Sequence, residues 1–272
     1  MTVDLEVDIS DEFPWLRSEG LNGVKGAIEV HIIDVIYQTF ICTADQDYVT
    51  SRLLALYGKD RDFFWSAAQC LEKYFKAILV SRGINVPDTH NISALFDRVK
   101  KQIPTFNSFE FDIDMESLVG EDYVKCMELF NIQKFINLIN EQGTPHQRYN
   151  MSGYSFNISL VFHLDCFVAF TRQILASKAI SESFVNSIHS HLLNVLFIQN
   201  AYFNNRKLDT CNITIKEFPK FSNVTNTKLD YLVRHKGTDQ NCNYAFDWLD
   251  KKVKLPNSLK PKKAKPKNKR LK

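Results

Sequence analysis

The segment from Asp62 to Arg82 constrains the fold of this chain more than any other, because it is apolar on two sides of a helix. One face carries Phe64, Ala68, Leu71, Phe75 and Ile78, and a second carries Phe63, Ala67, Cys70, Tyr74 and Ala77. Between them runs a narrow polar stripe of Ser66, Gln69, Lys73 and Lys76, with Glu72 beside it. A helix that is apolar around most of its circumference must pack on two or more sides. The segment is therefore expected to be the central helix of a bundle, with its polar stripe confined to one groove or edge. Gly83 supplies its stop.

The rest of the chain adds helices around it. Thr43 or Asp45 can cap a helix that runs to about Tyr57, with Gly58 as its end. Pro87 to Asn91 reads as a turn into a third helix, Ile92 to Lys101, stopped by Pro104. A fourth helix is expected over Glu116–Glu141, ended by Gly143-Thr144-Pro145, and a fifth over Ser155–Ser177. Ser181 or Ser183 opens a sixth that reaches about Tyr202. Val30 to Ile36 is β-branched and fits either a strand or a buried helical turn. Further on, Ile213-Thr214-Ile215 reads as a short strand, Lys228–His235 as a helical turn or two, and Tyr244–Leu249 as an aromatic cluster. The reading is mainly α.

Composition enters through charge and cysteine. The formal net charge is +3, yet the stretch from Lys260 to Lys272 holds seven Lys and one Arg with no acid. Without those eight charges the remainder stands at −5, so the basic excess belongs to the tail and the body is mildly acidic. Such a body is no obvious electrostatic trap for a duplex. The tail, with two prolines and almost no apolar residue, cannot bury enough surface to fold and is expected to be disordered. Its Lys262, Lys263, Lys265, Lys267, Lys269 and Arg270 can meet phosphates without sequence preference, or serve only for solubility or an acidic partner.

Six widely scattered cysteines form no ligand-spaced group, so no metal site is expected, and the pattern fits a reducing compartment. No cofactor motif occurs. The acidic N-terminus lacks a signal-peptide pattern, and the apolar run at Leu192–Ile198 is far short of the roughly 20 residues a membrane helix needs. A cytoplasmic protein with no membrane partner is the expectation.

Residues 44–96 contain a set of motifs that resembles the front half of a HEPN domain. They are Asp47-Tyr48 with Arg52, then Ala68-Gln69 with Glu72-Lys73 and Lys76-Ala77, then Gly83, Pro87 and Thr89-His90. Arg148-Tyr149 after the fourth helix is similar to that family's Arg-Tyr-Pro loop, with Asn150 in place of proline. The resemblance extends over about residues 44–177. It implies an up-and-down helical bundle that commonly dimerises, and a role as a metal-independent RNase, as a nucleotide-binding partner of a small nucleotidyltransferase, or as a non-catalytic member.

HEPN RNases leave four to six residues between Arg and His, so that guanidinium and imidazole can act together on a phosphodiester. That spacing is absent here. Seven residues separate Arg82 from His90, Arg148 meets no His before His163, Arg172 none before His189, and Arg234-His235 are adjacent. The least unfavourable catalytic pair is Arg148 with His163.

Each candidate has a plainer reading. Lys73 and Lys76 could hold a phosphate or form a solvated helix edge, and Glu72 reads more simply as half of an ion pair with Arg52 or Lys73. His90 could touch a nucleotide or only pack before its helix. Arg148 and Tyr149 could clamp and stack a base or anchor their loop.

The organisation expected is an N-terminal extension (1–42), a HEPN-like helical bundle (43–178), a C-terminal helical extension (179–255) and a disordered Lys-rich tail (256–272). The function expected is nucleotide or RNA binding without standard RNase chemistry. Gln69, Lys73, Lys76, His90, Arg148 and Tyr149 would line the site. By the resemblance, the setting is a homodimer in toxin–antitoxin or antiviral defence, working with a nucleotidyltransferase or other defence protein. The alternatives are a metal-independent endoribonuclease and a purely structural interaction module.

Overall fold

The computed structural model describes residues 31–32, 35–113, 127–145, 147, 156–175, 200, 202, 229–256 and 259. Among the described residues every regular element is helical. The α-helices are α1 (Cys42–Leu56), α2 (Asp60–Ser81), α3 (Ile92–Gln102), α4 (Ile132–Gln142), α5 (Ser159–Leu175), α6 (Leu229–His235) and α7 (Gln240–Val253).

Helix α2 is the hub, as its two apolar faces require. It packs most extensively against α1, then against α3, α4 and α5. All ten residues assigned to its two faces are buried. The space around it is filled by phenylalanine. Phe75 of α2 meets Phe96 of α3 at 5.4 Å between ring centroids and Phe167 of α5 at 5.9 Å. Phe106 extends the cluster to Phe170 at 5.0 Å, edge to face, a geometry that aromatic quadrupoles favour.

Both long helices end by the same device. Gly58 and Gly83 take positive φ (62° and 70°), the left-handed conformation that glycine adopts without a Cβ penalty. After α1, the Gly58 N–H reaches Ala55 O and the Lys59 N–H reaches Leu54 O. After α2, Gly83 and Ile84 make the equivalent pair to Val80 and Leu79. These crossed bonds satisfy the last free carbonyls. Helix α3 starts at Asn91, whose side chain accepts from the Ala94 N–H.

Three expectations need correction. Neither Thr43 nor Asp45 caps α1, because the chain is already helical through a π-helical turn at Tyr37–Ile41. The Thr43 hydroxyl instead donates to Thr39 O at 2.8 Å, and Asp45 is buried. Of the two forms expected for the β-branched run before it, its last residues take the buried helical one, and Val35, Ile36, Tyr37 and Ile41 all enter the core. Helix thus runs from Val35 through the π-helical turn into α1.

The fourth helix begins at Ile132, not Glu116. Asn131 caps it by accepting from the Lys134 N–H at 2.8 Å, while residues 127–131 are non-helical. The fifth helix also begins later than expected, at Ser159, and residues 176–177 of its expected end lie outside the described residues. The sixth helix expected up to Tyr202, the strand at Ile213–Ile215 and the Lys-rich tail lie outside the described residues, apart from Asn200, Tyr202, Pro256 and Leu259.

Helices α6 and α7 complete the body. Val86 donates its N–H to Lys252 O at 2.8 Å, and Lys254 pairs with Asp88, joining α7 to the loop after α2. The aromatic cluster expected at Tyr244–Leu249 is the buried face of α7, with Phe246, Trp248 and Leu249 in the core.

Candidate nucleic-acid interface

Helix α2 is enclosed along almost its whole length. From Phe63 to Ser81 four residues are not buried, namely Trp65, Gln69, Lys73 and Lys76. Their spacing of four, four and three residues is that of one helix face. The hub helix therefore shows solvent a single file of side chains: an indole, an amide and two ammonium groups. Ser66 and Glu72, which the polar pattern grouped with this stripe, are buried.

The two lysines are held by carboxylates. Lys73 pairs with Asp47 of α1, and both side chains are about a quarter exposed. Burial pushes the Asp47 carboxyl above its ordinary range, and the Lys73 ammonium partly offsets that shift. Lys76 donates to Glu72 Oε1 at 2.6 Å. His90 stands at the other side of Glu72, with Nδ1 3.1 Å from each carboxylate oxygen and its side chain 77% exposed. Glu72 thus pairs with Lys76 and His90, not with Arg52 or Lys73 as expected. The sequence could not reveal this, because the turn after α2 brings residue 90 back onto residue 72.

A cavity of about 240 Å³ opens where the file begins, lined by Arg61, Asp62, Trp65, Gln142, Thr144 and Gln147. Between its lining residues Gln142 and Thr144, Gly143 lets the end of α4 press onto α2. A Cβ at Gly143 would meet the Ala68 Cβ and would lie 2.8 Å from Phe64 O. Pattern reading missed Trp65 because indole counts as apolar. The available signal was its register, four residues before Gln69.

Behind the file lie two buried ionic groups that the sequence did not disclose. Tyr48 donates to Asp165 Oδ1 at 2.6 Å, Arg52 lies 3.4 Å from the same carboxylate, and Asn200 donates to the Tyr48 phenol at 2.9 Å. Tyr74 donates to Asp45, which also faces Arg172 at 3.5 Å. Burial pushes each of Asp45 and Asp165 up to about 6 against the pull of its arginine. These groups tie α1, α2 and α5 together. They account for Asp47-Tyr48 and Arg52 being sequence neighbours: Asp47 faces the file, whereas Tyr48 and Arg52 face the interior.

His163 is fully enclosed. Its Nε2 accepts from the Phe130 N–H at 2.9 Å, and its Nδ1 donates to Ser159 O at 2.6 Å. Phe111, Phe130 and Phe135 surround the ring, and burial lowers its pKa. Both nitrogens are occupied, so this imidazole fixes the chain before α4 and has none left for a substrate. Its partner in the catalytic alternative, Arg148, lies outside the described residues, as do Tyr149 and the basic residues of the tail.

Residues 37–129 match the HEPN domain family. The match covers about a third of the chain, from the π-helical turn to the segment before α4. No curated protein and no solved structure matches. The mainly helical architecture is consistent with a HEPN fold, and a HEPN domain points in general to a nucleotide- or RNA-related function. Gln69, Lys73, Lys76 and His90 fall within the matched residues, whereas Arg148, Tyr149 and His163 fall after them. The match begins earlier and stops sooner than the resemblance over 44–177. Among the described residues there is no group of metal-ligating side chains, and no helix is long and apolar enough to cross a membrane.

Proposed function

We propose that this HEPN protein binds single-stranded RNA or nucleotides without cleaving them, along the file of Trp65, Gln69, Lys73 and Lys76. The observation that carries this reading is the enclosure of α2. A helix buried on every other side leaves one slot, and that slot displays an aromatic, an amide and two cations in line. Stacking surfaces beside a track of cations are what sequence-tolerant binding of single strands requires.

The pairing of both lysines with carboxylates does not oppose this. Partly exposed ion pairs contribute about 0–1 kcal/mol, so a phosphate can displace Asp47 at little loss. Exchange of this kind predicts modest, salt-sensitive affinity. Acidification should tighten it, because the raised pKa of Asp47 lets that carboxylate protonate early and release Lys73. His90, exposed beside Glu72, completes the cationic end. Arg148 and Tyr149 remain part of the proposal as a clamp contributed by the residues that follow Gln147.

Standard HEPN cleavage is disfavoured by the missing Arg-to-His spacing and by the enclosure of His163. A homodimer is supported by Leu56 and Tyr57, which stand nearly four-fifths exposed at the end of α1 beside Leu53 and Ile158. The HEPN match leaves room for a nucleotidyltransferase or other defence partner in a toxin–antitoxin or anti-phage setting, and the Lys-rich tail would add non-specific phosphate contacts.

The test is binding of labelled single-stranded RNA across a salt series, with the Lys73→Ala/Lys76→Ala double variant. The variant should bind more weakly and lose roughly 0.7 from the slope of log K against log salt for each phosphate contact removed. An unchanged slope would overturn the reading. Incubation of the wild type with tRNA in EDTA should leave the RNA intact, and cleavage would restore the endoribonuclease alternative.

A further inference from the structure

The cavity at the start of the file has features that the lysines do not explain. Its wall includes Trp65, a large aromatic surface on α2, and Gln142, the last residue of α4. The Gln142 side-chain oxygen is buried and has no hydrogen-bond partner among the described residues. A buried acceptor left unsatisfied is destabilising, so a ligand that donates to it is favoured over one that cannot. Thr144 and Gln147 add polar groups on the same side, and Arg61 stands half-exposed at the rim beside Asp62.

We propose that this cavity is a nucleobase pocket that receives one unpaired base of the strand lying along α2. The size fits: about 240 Å³ is below the usual range for whole drug-sized ligands, roughly 300–1,000 Å³, and suits a single heterocycle whose sugar and phosphate stay outside. The register fits as well. At about 1.5 Å of rise per residue, Lys73 lies about 12 Å and Lys76 about 16 Å along the helix from Trp65, a span of a few nucleotides. The base stacks on the indole, and its exocyclic amino group donates to the Gln142 oxygen. The following phosphates pass Gln69 and reach the two ammonium groups. Adenine, cytosine and guanine carry such an amino group and uracil does not, so the pocket should prefer the first three.

This inference rests on the reading of α2 as an RNA track, and the test separates the two. Affinities would be measured for the trinucleotides AAA and UUU, for a trinucleotide backbone without bases, and for free adenosine monophosphate. The wild type should bind AAA several-fold more tightly than UUU, and both more tightly than the abasic backbone. Gln142→Leu should remove the preference for AAA over UUU while keeping the advantage over the abasic strand. Trp65→Ala should reduce that advantage, with circular dichroism and Trp65→Phe as controls that the bundle is intact. Lys73→Ala/Lys76→Ala should weaken all three strands alike. If the lysine variant weakens binding but base identity and Gln142→Leu have no effect, the pocket is refuted and the track survives. If the lysine variant has no effect either, both fall. Adenosine monophosphate binding as tightly as AAA would also refute the pocket as a site for a base within a strand.

Discussion

Replacement of Tyr48 by phenylalanine is the sharpest probe of how this bundle holds its interior charges. The phenol donates to Asp165 at 2.6 Å and accepts from Asn200 at 2.9 Å, all three being buried. Burial holds the Asp165 carboxyl at about 6 in the folded protein, against an ordinary 3.8. The folded protein therefore keeps a proton that the unfolded chain releases between about pH 4 and 6. The contribution of this group to stability is fully present below the ordinary value and falls as pH rises through 6. Tyr48 offsets part of that fall by donating to the ionised carboxylate. Without the hydroxyl the folded pKa rises further, and each added unit deepens the loss at high pH by about 1.4 kcal/mol. At pH 7.5 the bond is charge-assisted, and its removal should cost about 2–3 kcal/mol. At pH 5 the carboxyl is mostly neutral, and the loss should be nearer 1 kcal/mol. Urea unfolding of wild type and Tyr48→Phe at both pH values measures the difference directly. Equal losses at the two pH values would refute the assignment of Asp165 as a carboxyl that titrates near 6.

Other perturbations test separate parts of the structure. Gly143→Ala should destabilise the protein by about 1–3 kcal/mol, because a Cβ there lies 2.7 Å from Ile139 O and 2.8 Å from Phe64 O; a chemical denaturation midpoint unchanged from wild type would contradict the close approach of α4 to α2. Asn91→Ala removes the cap of α3 and should lower stability by about 1 kcal/mol, with Asn91→Asp restoring most of it. Leu56→Asp should convert a dimer to a monomer in sedimentation experiments with little effect on folding, since the side chain is 79% exposed; a wild-type monomer would remove the basis for that surface.

Much of the architecture was legible because α2 is so strongly patterned. Two apolar faces with glycine at the end can hardly be anything but an enclosed helix, and all ten residues the pattern places on those faces are buried. The turn Pro87–Asn91 and the stop at Gly58 were readable for similar reasons, since each depends on local backbone chemistry. The start of α1 was not, because continuity through Tyr37–Ile41 is decided by burial of Ile36 and Ile41, and a β-branched run reads equally as strand. The start of α4 is not legible, because the Phe130 N–H that precedes it donates to His163, which is remote in sequence.

The candidate site was half legible. Gln69, Lys73 and Lys76 share one face by spacing alone, and His90 followed from the motif. The partners of Glu72, the burial of His163 and the membership of Trp65 depended on tertiary contacts that no spacing encodes. The same holds for Asp45 and Asp165, whose arginine partners lie more than a hundred residues away.

Photo-crosslinking bears most directly on the track along α2. Single-stranded RNA carrying 4-thiouridine would be irradiated with the full chain, digested, and mapped by mass spectrometry. Adducts should concentrate on the peptides from Asp62 to Lys76, with Trp65 and Gln69 the leading sites. Adducts confined to the lysine-rich end, with none on those peptides, would contradict it.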